Sequence, residues 1–239
     1  MLVNTDASAL EWNVAAFLSQ DKVAHEEIWN KVDQHTENQK RFGLPSRLIA
    51  KTFVFRLIYG GSAYSYANDP NFNEVSKSEK YWQKVIDEFY KKYEGVARWH
   101  ERLMQEATTT GKVVIPTGRM FKYEPESKRG DLVWPRTKIL NYPVQALGAD
   151  LMCIARVSFA RRFKQQQVKG VLISTVHDSI VADVENDEVE KTCRMFYEVF
   201  RDLPANFEKL FKKKYTLPLR CEVQYGPNLK DLTDFEYAV

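Results

Sequence analysis

Four side chains at regular spacing and two isolated carboxylates are the residues of this chain whose types and positions could do chemistry. Arg47, Lys51, Phe55 and Tyr59 recur every four residues. On a helix each such step advances about 400°, so the set drifts by only about 40° per step and lines one broad face. Two cations followed by two aromatic rings suit a nucleotide: charges for phosphates, rings for sugar and base. The plainer alternative is a solvated basic face running into an aromatic core stripe. Asp6 stands where a short apolar run passes into a helix, and Asp178 stands at the tip of Val176-His177-Asp178-Ser179. They are 172 positions apart, so only tertiary structure could join them. Each also has a local explanation, because Asp is favoured in turns and just before helix N-termini.

The surrounding sequence supplies the elements that must hold these residues. Leu2-Val3-Asn4-Thr5 predicts a short strand, and residues 7–18 a helix with Leu10, Val14, Phe17 and Leu18 on one stripe. Ser8 and Glu11 make an S-x-x-E capping pattern at its start. A helix over 22–31 leads through Asp33-Gln34-His35 into a polar stretch ending at Gly43. Pro45-Ser46 opens a helix that runs to Tyr59 and stops at Gly60-Gly61. Residues 68–73 are rich in turn formers, and 80–107 predicts one long helix. Lys112 to Ile115 and Met120 to Tyr123 flank Pro116-Thr117-Gly118 as a hairpin. Then follow a helix over 144–163, a strand, tight turn and strand over 170–184, an amphipathic helix over 188–203, and a closing strand over 219–225. Helices outnumber strands and the strands are hairpin-like, which predicts an α+β fold.

Composition narrows the class. In 239 residues, 44% are hydrophobic and 28% charged, enough for a packed core and inconsistent with wholesale disorder. No apolar run is long enough to span a bilayer, and the N-terminus lacks the basic and apolar regions of a signal peptide. Cys153, Cys193 and Cys221 are scattered and odd in number, which argues against a disulfide framework or a zinc site and suits a reducing compartment. The net charge of +3 permits an anionic partner without requiring one. The clusters Arg161-Arg162-x-Lys164 and Lys212-Lys213-Lys214 therefore read as solvated helix faces before they read as phosphate contacts.

Together the segments resemble DNA polymerases of family A, the group of bacterial polymerase I and the phage replicative enzymes. Asp6-Ala7-Ser8-Ala9-Leu10-Glu11 is similar to motif A, Arg47-x3-Lys51-x3-Phe55-x3-Tyr59-Gly60 to motif B on the fingers helix, and Val176-His177-Asp178-Ser179 to motif C. Asn141 to Asp150 looks like the helix before motif C, and Asp33 to Gln39 like the segment preceding motif B. The likeness covers residues 2–184, with a weaker match through the last strand, and the short interval from His35 to Arg47 is of the phage type.

The resemblance implies a partial right hand: an antiparallel palm sheet backed by helices, plus a helical fingers subdomain. Residues 1–21 and 111–239 would be palm and 22–110 fingers. It implies template-directed synthesis, with primer–template DNA and dNTPs as partners and no membrane. Asp6 and Asp178, with the carbonyl of Ala7, would hold two Mg²⁺ ions, for which Mn²⁺ would substitute. His35, Arg47 and Lys51 would bind the triphosphate, and Lys51 would also protonate the leaving group. Phe55 would stack on the incoming nucleotide and Tyr59 would guard the templating position. Asn141, Gln145, His177 and Gly60 would contact primer–template. Glu11 would exclude a ribose 2′-hydroxyl as well as capping its helix, and Phe55, where some relatives carry Tyr, would favour exclusion of dideoxynucleotides.

This sequence departs from the family pattern at Ala7, Asn13, Arg56 and Ser179. Ser179 removes a carboxylate after the motif C Asp and creates the histidine-aspartate-serine tripeptide of single-subunit phage RNA polymerases, which makes a transcriptase the alternative; Glu11 and Phe55 argue against it. A non-catalytic, nucleic-acid-binding palm is a further alternative, opposed by the joint presence of Asp6, Asp178, Arg47 and Lys51. The thumb, the first palm strands and any 3′–5′ exonuclease have no counterpart here. The expectation is a split polymerase whose separate N-terminal chain supplies them, or else a fragment, acting in the cytoplasm (that of a bacterial host if phage-encoded).

Overall fold

The structure is a computed structural model describing residues 1–128 and 130–237. In chain order the elements begin β1 (Leu2–Ala7), α1 (Leu10–Ser19), α2 (Lys22–Trp29), α3 (Gln34–Phe42), α4 (Arg47–Ile58), α5 (Ala63–Ala67), α6 (Glu79–Lys92) and α7 (Glu94–Thr110). They continue β2 (Lys112–Val114), β3 (Met120–Lys122), β4 (Glu126–Lys128), β5 (Asp131–Val133) and α8 (Arg136–Gln165). The last are β6 (Gly170–Val176), β7 (Ser179–Val184), α9 (Val189–Phe211), β8 (Cys221–Gly226) and β9 (Thr233–Asp234). The chain divides into two units, one of residues 1–13 with the chain from Ala146 onward, the other Val14–Gln145.

The first unit is built on a five-stranded antiparallel sheet of order β6-β7-β1-β8-β9. Along β1, Val3, Thr5 and Ala7 are buried while Asp6 is exposed, the period-2 alternation of a strand with one covered face. α9 packs on β1 and β8, burying Cys193, Phe196, Val199, Phe200, Leu203 and Phe207 at helical spacing. Phe159 of α8 meets Phe196 with ring centroids 4.1 Å apart. The α+β class and the helix-backed antiparallel sheet are as expected from sequence.

The second unit is helical, with the two-stranded sheets β2–β3 and β4–β5. Its core is aromatic: Phe53 lies 5.0 Å from Tyr66, 6.0 Å from Trp82 and 6.1 Å from Phe89, centroid to centroid. Offset and edge arrangements of this kind add to simple area burial.

Several local expectations change on folding. α1 starts at Leu10, after Ala9 has turned left-handed at φ 48°, so Ser8 does not occupy the cap position. Its amide instead donates to Arg220 O at 2.9 Å. The polar stretch after Asp33 is helix α3, with Asp33 as N-cap and Gly43, at φ 63°, ending it. The single long helix over 80–107 is two, α6 and α7, broken at Tyr93 (φ −112°, ψ 66°). The break has a tertiary cause: Tyr93 Oη donates to Glu27 Oε2 at 2.8 Å, and the Gly95 amide donates to Asp21 Oδ2 at 2.6 Å. α8 begins eight residues before its expected start and carries Pro143 inside it. Residues 111–145 fall within the second unit. No helix among the described residues is long and apolar enough to cross a membrane.

Candidate active site

β1 and the β6–β7 hairpin bring the two aspartates together at one end of the sheet. β1 pairs with β7 so that Asp6 lies opposite Ser179, and the Ala7 amide donates to Asp178 O at 2.9 Å. The hairpin turn is His177-Asp178, with His177 at φ 53°. Such left-handed residues suit two-residue hairpins, and His tolerates the region better than most non-glycine residues. Ser179 Oγ donates to Val176 O at 2.9 Å, closing the turn from inside. His177 is exposed, Asp178 half-buried and Glu11, in the first turn of α1, half-buried.

On the other side of β1, Glu222 stands directly opposite Asp6, and both are exposed. Like charges facing each other across strands repel, and a cation relieves that repulsion. Among the described residues no group of three or more His, Cys, Asp or Glu side chains is arranged to hold a metal. A pair of carboxylates with a backbone carbonyl nevertheless fits Mg²⁺, which prefers oxygen donors, keeps several waters and shares its coordination with substrate phosphates. The residues present therefore suit that ion. Glu222 is absent from the sequence reading because only the register reveals it.

α4 carries the predicted ladder. Ser46 caps it, its Oγ accepting from the Ile49 amide at 3.2 Å. Ala50, Phe53, Val54, Leu57 and Ile58 form its buried face, while Arg47 and Lys51 are exposed and Phe55 and Tyr59 half-buried. The solvated-basic-face reading thus holds for Arg47 and Lys51, but the ring pair is not core. Lys51 Nζ sits 5.8 Å from the Phe55 centroid and makes no ion pair among the described residues. Arg47 is engaged: its Nε donates to Asp33 Oδ2 at 2.7 Å and its Nη2 to Oδ1 at 3.2 Å. This two-point pair, together with hydrogen bonds from Thr36, holds the Asp33 carboxyl well below the usual carboxylate range.

His35 lies beneath this pair rather than on the exposed face. It is 6% exposed, with its ring 5.7 Å from Phe55. Burial first, and the Arg47 and Lys51 charges after it, depress its pKa to about 4, so the ring is neutral near pH 7. Its Nδ1 is buried without a hydrogen-bond partner among the described residues.

Past Tyr59 the chain turns sharply at Gly60, whose φ is 83°. A Cβ there would lie 3.2 Å from Leu140 Cδ1 and 3.4 Å from Thr137 Cα, so both the dihedral and the approach of α8 call for glycine. Gln145 Nε2 donates to Tyr59 Oη at 2.7 Å. Lys51, Phe55, Tyr59 and Gly60 line an open groove of about 850 Å³, together with Ser65, Asn68, Asp69, Thr137 and Asn141. Asn141 Oδ1 is buried there with no hydrogen-bond partner among the described residues. Rings beside amides and hydroxyls are what a nucleobase face and edge require.

Of the basic clusters, Arg162 is paired with Glu198 (2.8 Å) and Asp202 (2.6 Å), while Lys212, Lys213 and Lys214 are exposed. The sequence reading also missed Asp33 as the partner of Arg47; its signal was an Asp before a polar run closed by Gly43, an N-cap and C-cap pair.

The family model described as DNA polymerase family A matches residues 1–231. DNA polymerase I of Pseudomonas aeruginosa is 31% identical over 239 residues, covering 95% of this chain and 24% of that protein. DNA polymerase I of Chloroflexus aurantiacus is 27% identical over 244 residues, covering 97% of this chain and 24% of that protein. A solved structure of the POL domain of Pol1 from M. smegmatis, in complex with DNA primer–template and dNTP, shares the fold at a TM-score of 0.78. It is 22% identical and covers 94% of this chain and 39% of that one. The chain spans about a quarter of the length of these polymerase I relatives. With three motifs in order on the elements described above and a family match across nearly its whole length, the chain belongs to DNA polymerase family A.

Proposed function

We propose that this chain carries the nucleotidyl-transfer chemistry of template-directed DNA synthesis, with primer–template DNA and dNTPs as its partners. The observation that carries the reading is the register that sets Asp6 opposite Ser179, one residue from Asp178, at a single end of the sheet. In the reaction the primer 3′-oxygen forms a bond to the α-phosphorus, the bond from that phosphorus to the bridging oxygen breaks, and pyrophosphate leaves. The hydroxyl proton is released and a proton is returned to the leaving group.

When bound, two Mg²⁺ ions supply activation of the 3′-hydroxyl and stabilisation of charge on the transferring phosphoryl group. Asp6, Asp178 and the carbonyl of Ala7 are the residues that would hold them. Arg47 and Lys51 bind the triphosphate, and Lys51 returns a proton to pyrophosphate. The orphan Nδ1 of His35 offers a contact to the same anion. Phe55 stacks on the nucleotide, and Tyr59, braced by Gln145, guards the templating base. Glu11 excludes the 2′-hydroxyl. Asn141, Gln145, His177 and Gly60 contact primer–template. Residues 1–21 and 111–239 serve as palm and 22–110 as fingers.

Primer extension with Mg²⁺ and dNTPs, using the chain alone and then with a thumb-bearing family A counterpart, tests the reading against Asp178→Asn. Extension abolished by the substitution supports it. Extension by the chain alone removes the need for a second chain, and no extension in either setting moves the non-catalytic alternative forward.

A further inference from the structure

Arg56 follows Phe55 on α4 but does not belong to the phosphate-facing ladder. Its guanidinium is ion-paired with Asp69, and the side chains are only 34% and 14% exposed. It also lies 5.5 Å from the centroid of Phe72 and 6.0 Å from that of Tyr66. The second oxygen of Asp69 is engaged as well, accepting from the Asn71 amide at 2.8 Å and from Asn71 Nδ2 at 2.9 Å. The pair with Asp69 and the two nearby rings hold the guanidinium in place. The main chain and stem of Arg56 do something else. Arg56 O accepts from the Gly61 amide at 2.9 Å, and a Cβ on Gly61 would lie 2.9 Å from both Arg56 Cγ and Tyr66 Oη. Tyr66 in turn donates to Phe53 O on α4 at 2.8 Å. One residue therefore ties the end of α4, the Gly60-Gly61 turn, α5 and the Asp69 turn into one piece.

Arg56 and Asp69 both line the groove that holds Phe55, Tyr59 and Asn141. We propose that Arg56 and Asp69 are positioning residues whose ion pair sets the width of this groove, so that it admits one unpaired template base beside Tyr59. The inference rests on the nucleotidyl-transfer reading. A partly buried pair suits this task, because removing one member leaves the other charge uncompensated and lets the wall shift.

The test uses the full 239-residue chain and a primer–template carrying 2-aminopurine as its first unpaired template base. Binding is read by anisotropy and base environment by 2-aminopurine fluorescence. Wild type is expected to change the fluorescence on binding. Arg56→Ala and the isosteric Asp69→Asn are expected to lose at least half of that change, with affinity held within about twofold because backbone phosphate contacts dominate it. Arg56→Lys, which keeps the charge, is expected to restore most of the signal. Loss of signal in Asp69→Asn with an unchanged melting temperature separates positioning from unfolding. Full retention of the signal in both Arg56→Ala and Asp69→Asn overturns the proposal, as does wild-type binding with no fluorescence change. Failure of the wild type to bind primer–template both alone and with the thumb-bearing counterpart overturns the nucleotidyl-transfer reading itself.

Discussion

The main-chain amide of Ala7 donates to the carbonyl oxygen of Asp178 at 2.9 Å. Two aspartates far apart in sequence are thus held together by the backbone ladder. A change confined to one carboxylate leaves that ladder in place. Asp6→Asn and Asp178→Asn are each expected to cut primer extension by about 10³-fold, the scale of several kcal/mol of lost charge stabilisation. The circular dichroism of both variants should match wild type, and extension by either at a rate near wild type would remove that carboxylate from the chemistry.

In the proposed role of Arg47, Asp33 would compete with a triphosphate for its guanidinium. Asn at position 33 keeps an oxygen for the α3 cap but gives up the charge. Because the pair is about half exposed, its strength is that of a surface ion pair, up to about 1 kcal/mol. Asp33→Asn is therefore expected to tighten dNTP binding by up to about fivefold. Equilibrium titration with a dNTP checks this, and weaker binding would mean that Asp33 helps to orient Arg47.

Burial of neutral His35 makes stability depend on pH with a definite sign. Its folded pKa of about 4 lies below the ordinary 6.5, so between those values the unfolded chain binds a proton that the folded chain does not. The contribution is complete above pH 6.5 and is lost as pH falls toward 4. At about 1.4 kcal/mol per pH unit the loss is about 3 kcal/mol. His100, also buried and lowered to about 3, acts in the same direction. Urea unfolding at about pH 7 and about pH 4 should show a shallower pH dependence for His35→Gln than for wild type.

Asn13, a departure from the family pattern, is a buried structural link. Tyr215 Oη donates to its Oδ1 at 2.8 Å, and its Nδ2 donates to Pro218 O at 2.8 Å. Asn13→Ala removes both of these hydrogen bonds and is expected to cost about 2–3 kcal/mol, at about 1 kcal/mol or more for each. Denaturant unfolding measures it, and Asn13→Asp, which keeps the acceptor, should lose less near neutral pH only if Tyr215 is the more important contact.

Glu11 sits in the first turn of α1, where a carboxylate also interacts favourably with the helix N-terminus. Glu11→Ala is expected to lower stability by about 0.5 kcal/mol and to raise ribonucleotide incorporation relative to deoxynucleotide. Unchanged sugar discrimination in single-turnover assays would leave Glu11 with the helix-end role alone.

Local chemistry made much of this molecule legible from the residues alone. The i, i+4 ladder, the Ser46 cap and the Gly60 stop depend only on neighbours along the chain, and so does the hairpin around His177 and Asp178. Tertiary structure decided what depends on a partner distant in sequence. Tyr93 breaks a continuous helical pattern because Glu27 takes its hydroxyl, Glu222 faces Asp6 because two strands share a register, and Arg56 is neutralised because Asp69 folds back onto it. Periodicity records which face of an element is apolar, but not which partner from elsewhere in the chain arrives at the other face. Hydrogen-bond and charge satisfaction in the folded state settles that.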